Sequence, residues 1–181
     1  MVGREADGVW ITLKEEIHAA PAEVASCIAS ASGFSRWIAV GCELNELTSQ
    51  SDADIRGAPR GNAAVATLAI SWDREWHHTT EVRVLEHDVD MLNDGRARIR
   101  FEWFPSPIDD APIPIEISVA PMAERGDGTG GARVILRQGP FADDSDNLLF
   151  MADSAESWRW YLCNLRSVLE AKHDMRAVRP L

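Results

Sequence analysis

The chain has 181 residues, 45% of them hydrophobic, and its 29 acidic and 18 basic side chains leave a formal charge of −11. That is the size of one domain with enough apolar mass for a packed core, and so acidic a chain is repelled by nucleic-acid phosphates and by anionic membrane surfaces. Cys27, Cys42 and Cys163 lack C-x-x-C spacing, which predicts reduced thiols and a cytoplasmic setting; with no secretory leader and no run of about 18 apolar residues, membrane insertion is not expected.

Residues 1–8 are polar and read as a flexible N-terminal arm. Val9, Ile11, Leu13 and Ile17 then alternate with Trp10, Thr12, Lys14 and Glu16, the pattern of a half-buried strand, with Glu15 falling on the apolar face. Pro21 suits the first position of a helix, where its missing N–H costs nothing. Val24, Cys27 and Ile28 give that helix an apolar side, and Phe34, Trp37 and Ile38 form a further helical turn. Cys42 to Leu47 reads as a strand and Thr48 to Asn62 as a long polar loop. Strands are predicted over Ala63 to Trp72 (Leu68, Ile70 and Trp72 on one face), Thr79 to Glu86 (Val82 and Val84), Arg96 to Trp103 (Ile99, Phe101 and Trp103) and Ile113 to Val119. Val134 and Leu136 mark the last strand.

Acids and capping residues at Asp143 to Asn147 precede a final helix, with a second possible start at Asp153. Met151, Ala155, Trp158, Leu162, Leu165 and Leu169 fall within roughly 60° of one another at about 100° per residue, and Trp160 lies opposite. A curved antiparallel sheet cannot bury its inner face alone, and a helix with such a stripe can cover it. The order predicts an α+β fold in which sheet and helix enclose a cavity. Residues 9–176 form that domain and 177–181 a C-terminal tail.

The local patterns point more narrowly. Glu16-Ile17-His18-Ala19-Ala20-Pro21-Ala22-Glu23-Val24 with Phe34-Ser35-Arg36-Trp37 resembles the opening of the activator-of-heat-shock-protein-90-ATPase-like (AHSA-like) branch of the START-like, or SRPBCC, superfamily. Gly131 to Leu136 with Gly139-Pro140-Phe141 resembles its last strand and turn, and Trp158 to Glu170 its C-terminal helix. The resemblance spans about residues 9 to 172 and implies the helix-grip fold, a curved antiparallel sheet wrapped around a long C-terminal helix. It is specific for fold and not for activity, since the superfamily holds co-chaperone-like domains, carriers of lipids or other small molecules, and polyketide cyclases. The segments 48–62, 73–78 and 105–114 depart from the usual pattern, at places where a pocket mouth would lie.

On this reading the cavity is lined by Trp37, Ile70, Trp72, His78, Val82, Val84, Phe101, Trp103, Ile117, Leu136, Gln138, Trp158 and Leu162. Trp72, Trp103 and Trp158 either form an aromatic wall for a ligand or fill core volume. His78 is in phase with Thr80, Val82 and Val84 and is a candidate general base or ligand anchor, or else a structural residue. Glu15, Glu86 and Gln138 are polar groups in phase with apolar neighbours. Glu15 is a second catalytic candidate, or a partner of Arg159 or Lys172. Trp160 marks an interface, such as a homodimer, or is covered by a loop. No spacing supports a metal site, a phosphate loop or a bound cofactor. Three functions remain: a binder of a small hydrophobic molecule (lipid or polyketide-like), a cyclase- or hydrolase-type enzyme in the same cavity, and a co-chaperone-type protein-interaction module.

Overall fold

A computed structural model describes residues 1–46, 66–90, 95–103, 113–123 and 130–177. The expected loop 48–62, residues 105–112 of the expected loop 105–114, and the tail beyond Ala177 lie outside these residues, while Ile113 and Pro114 belong to a strand. Eight antiparallel strands form one sheet: β1 (Val2–Glu5), β2 (Gly8–Ile17), β3 (Gly41–Glu46), β4 (Ala66–Ser71), β5 (Thr79–Asp90), β6 (Arg96–Trp103), β7 (Ile113–Pro121) and β8 (Ala132–Phe141). Their order is β1-β2-β8-β7-β6-β5-β4-β3, so the first long strand pairs with the last. Helices α1 (Pro21–Ala29) and α2 (Ala31–Phe34) follow β2, and α3 (Ser145–Arg166) follows β8. This is the helix-grip arrangement, an antiparallel sheet gripping a long C-terminal helix.

Alternation builds the sheet as its residues dictate. Val9, Ile11, Leu13 and Ile17 are buried, as are Val82 with Val84, Ile99 with Phe101, and Ile113, Ile115, Ile117 and Val119. Each fully buried side chain of this size contributes roughly 2 kcal/mol. Residues 1–8 are not the loose arm expected. Val2–Glu5 carries no buried side chain, yet it pairs with β2 from Val2↔Ile11 to Glu5↔Gly8. Backbone hydrogen bonds hold this edge, together with ion pairs from Arg4 to Asp143 and from Arg137 to Glu5.

Between α1 and α2 the chain turns so tightly that a Cβ on Gly33 would lie 2.4 Å from the Ser26 carbonyl oxygen, so glycine is required there. Ser30 caps α2 by accepting from the Gly33 N–H at 3.0 Å. Trp37 follows, fully buried, its indole N–H donating to the Cys27 carbonyl at 3.0 Å.

The last helix is one unbroken rod of 22 residues, about 33 Å long. It starts at Ser145 because the Asp144 carboxylate accepts from the N–H groups of Asp146 and Asn147. Those bonds, first of all that from Asn147, hold the Asp144 carboxyl below its ordinary pKa. Met151, Trp158, Leu162 and Leu165 are buried on the expected face. The helix lies along β2 and β8, while α1 packs on β6 and β7. Between Ser167 and Ala171 the helix widens into a π turn, and Lys172, at φ 54°, reverses the chain.

A cleft along the middle of the last helix

Two β-bulges decide which side chains face inward. In β8, Val9 pairs with Phe141 and Ile11 with Gln138, so Gly139 and Pro140 stand opposite Trp10 alone. The extra residue shifts the phase: Gln138 and Phe141, three apart, are both buried. Gly139, at φ 145°, is needed there, since a Cβ would sit 2.9 Å from the Trp10 ring. In β5 the register slips between Val84 and Glu86. That slip turns Glu86 outward to meet Arg98 at 3.1 Å, so Glu86 is not the inward carboxylate that its spacing suggests.

Where α3 stands away from β4 and β7, a cleft of about 250 Å³ remains, lined by Trp72, Ile115, Gln138, Phe150, Asp153, Ser154, Ser157, Trp158 and Tyr161. Phe150 packs edge-on to Phe141 at 6.2 Å, so the bulge supports the helix wall of the cleft. Trp72 is held by a hydrogen bond from its indole N–H to the Thr80 hydroxyl at 3.0 Å. Trp158 donates to the Gln138 side-chain oxygen at 2.9 Å and lies edge-to-face with Tyr161 at 5.9 Å.

An indole N–H can only donate, so Gln138 must offer its oxygen there and keep its NH₂ for something else. That NH₂ has no acceptor among the described residues, although Gln138 is only 4% exposed. No fully buried side-chain nitrogen or oxygen among those residues lacks a partner, so this nitrogen opens onto the cleft. Burial pushes the Tyr161 phenol above its ordinary pKa, against a smaller opposing pull from Arg176, so it stays neutral at pH 7.

Of the thirteen positions expected to line a cavity, the cleft brings together Trp72, Gln138 and Trp158. Trp37, Ile70, Val82, Val84, Phe101, Ile117, Leu136 and Leu162 belong to the hydrophobic core and do not border it. The side chain of Trp103 lies outside the described residues. His78 is not a cavity residue: its side chain is 82% exposed. It precedes β5, where the Asp73 carboxylate accepts from the backbone N–H groups of His77 and His78 and meets the His78 ring at 2.8 Å, pulling it outward. Desolvation works against the charged form of Asp73, but these bonds bring its pKa down to about 2.

Glu15 is buried as expected, yet it meets Arg166 at 2.6 Å and Arg159 at 3.7 Å, while Lys172 turns instead to Glu23. It stands opposite Val134, four positions from Gln138 along β8, or about 13 Å. Trp160 is half-buried against Tyr161, ring to ring at 5.2 Å. Ile115, Phe150, Asp153, Ser154, Ser157 and Tyr161 were missed by the sequence reading. Only Ile115 carried a signal, its inward phase in β7.

No family profile matches the chain, and no curated protein matches it by sequence. Solved structures do match in shape. The Aha1 dimer from Colwellia psychrerythraea superposes at a TM-score of 0.56 with 14% identity, over 89% of this chain and 96% of that one. A structural-genomics protein from Mesorhizobium loti gives 0.58 with 12% identity over 91% and 98%. The di-domain ARO/CYC protein BexL of the BE-7585A biosynthetic pathway gives 0.57 with 17% identity, over 95% of this chain and 48% of its own length. The chain thus shares the helix-grip fold of these structures, as its opening and closing motifs imply, and identities this low carry the fold alone.

Proposed function

We propose that this protein binds a small hydrophobic molecule in the cleft between α3 and strands β4, β7 and β8, without transforming it. The observation that carries this reading is the cleft itself: four large apolar side chains (Trp72, Ile115, Phe150 and Trp158) facing one buried amide with a free donor. Acid–base catalysis needs a titratable group held within hydrogen-bond reach of the reacting atom and poised to exchange its proton near working pH. The cleft offers only Asp153 on its exposed rim and a phenol held neutral. That favours a binder over a cyclase or hydrolase. Three free cysteines suit a reducing cytoplasm, and among the described residues no helix is long and apolar enough to cross a membrane.

The test is native mass spectrometry of freshly purified protein beside a Ser154→Trp variant, whose indole would fill the cleft from the helix wall. An extra mass on the wild type, absent from the variant and lost on denaturation, is expected. A ligand retained by Ser154→Trp would place the site elsewhere. A second reading rests on Trp160, half-buried on the outer side of Tyr161, and gains weight from the dimer formed by the Aha1 neighbour. It makes Trp160 part of a homodimer or a co-chaperone-type contact. A concentration-dependent sedimentation coefficient that Trp160→Ala abolishes would support it.

A further inference from the structure

The cleft is chemically one-sided, and this narrows what it accepts. Its single deeply buried polar residue is Gln138, whose oxygen is occupied by Trp158 and whose NH₂ has no acceptor among the described residues and opens onto the cleft. A ligand that covers this donor without offering an acceptor strips it of water, so a ligand that supplies an acceptor there gains over one that does not. No lining residue is cationic, and Asp153 stands on the rim. A carboxylate would therefore enter with no counter-charge and against a like charge. Indole rings at Trp72 and Trp158 favour a flat ring system over a flexible acyl chain. A cavity of about 150 Å³ already holds benzene, so about 250 Å³ accommodates two fused rings.

We propose that Gln138 determines specificity in this cleft, selecting a neutral aromatic molecule that bears a ketone, quinone or lactone oxygen and seating that oxygen on its side-chain NH₂. This rests on the cleft being the binding site. It excludes fatty acids, and with them the lipid half of the ligand class expected from sequence.

Three probes of one size separate the possibilities: acetylnaphthalene, ethylnaphthalene and naphthoate, titrated calorimetrically into the wild type and Gln138→Leu. Acetylnaphthalene is expected to bind the wild type about tenfold tighter than ethylnaphthalene, with naphthoate weakest. Gln138→Leu should bring the first two level. In the wild type, the Gln138 side-chain amide resonance should shift with acetylnaphthalene and stay put with ethylnaphthalene. If Gln138→Leu loses its native near-ultraviolet dichroism, the wild-type affinities and that resonance decide alone. Equal wild-type affinities, or an unmoved resonance, would overturn the role of Gln138 while leaving the cleft as a site. Failure of all three probes to bind would remove the cleft reading and this inference together.

Discussion

The middle of α3 and its downstream end are built on opposite rules. Near its downstream end Asn164, fully buried, donates to the Trp37 carbonyl at 2.9 Å and to Asp174 at 3.1 Å and accepts from the Met175 N–H at 2.7 Å. Arg176 reaches back to the carbonyls of Ser35 and Ala39 and clamps Asp174, and its hydrogen bonds hold the Asp174 carboxyl below its ordinary pKa. Every polar group in that latch has a partner. Along the middle of the helix, Gln138 and Tyr161 keep hydrogen-bonding capacity that no described residue uses. A fully satisfied buried network fixes one conformation, whereas an unused buried donor beside open volume is a place for another molecule.

The sharpest way to break the contrast is Asn164→Leu. It orphans the Trp37 carbonyl and the Met175 N–H in a buried site and should cost about 3 kcal/mol by urea unfolding. A loss below about 1 kcal/mol would mean that the latch is incidental. At the cleft, Gln138→Leu removes only the acceptor of Trp158, and about 1 kcal/mol is expected in the same assay. Ser154→Trp fills space that no native side chain uses, so its unfolding midpoint should stay close to that of the wild type while ligand is lost.

Two titrations follow, with smaller effects. Tyr161 is the only tyrosine in the chain, so tyrosinate absorbance reports it alone. Its folded pKa is raised above 10.0. Its contribution is therefore complete below pH 10 and is lost as pH climbs through the folded value, and the native midpoint should exceed that of the urea-unfolded chain. Asp73 has the opposite sign: its folded pKa of about 2 lies below the unfolded 3.8. The contribution is present above pH 4 and disappears between pH 4 and 2. Carboxyl chemical shifts should give that low midpoint, and His78→Ala should raise it slightly.

Much of the frame can be read from the residues because it rests on period alone. The alternation in β2, β6 and β7 and the stripe from Met151 to Leu169 each place apolar side chains where the core lies. What escaped has physical causes. The slips at Leu85 and at Gly139-Pro140 change phase within a strand, so Glu86 turns out and Phe141 turns in. His78 keeps the phase of β5 on paper but belongs to a turn organised by Asp73. Asn164 looks like a polar residue on an outer helix face until residues 174–176 fold back over it. Half of the cleft's helix wall consists of two serines and an aspartate, which announce nothing until α3 is set against β7.

The latch also has a bearing on how the chain is made. Arg176 bonds to Ser35 and Ala39, 141 and 137 positions away, and β2 closes on β8. The sheet cannot close before β8 has been made, nor the latch before residues 174–176. A nascent chain lacking α3 holds much of its sheet's apolar face uncovered, so the ribosome's pace over the codons from Ser145 to Ala177 sets how long that surface is open to wrong partners. Slow codons there would lengthen that interval, and faster ones would shorten it.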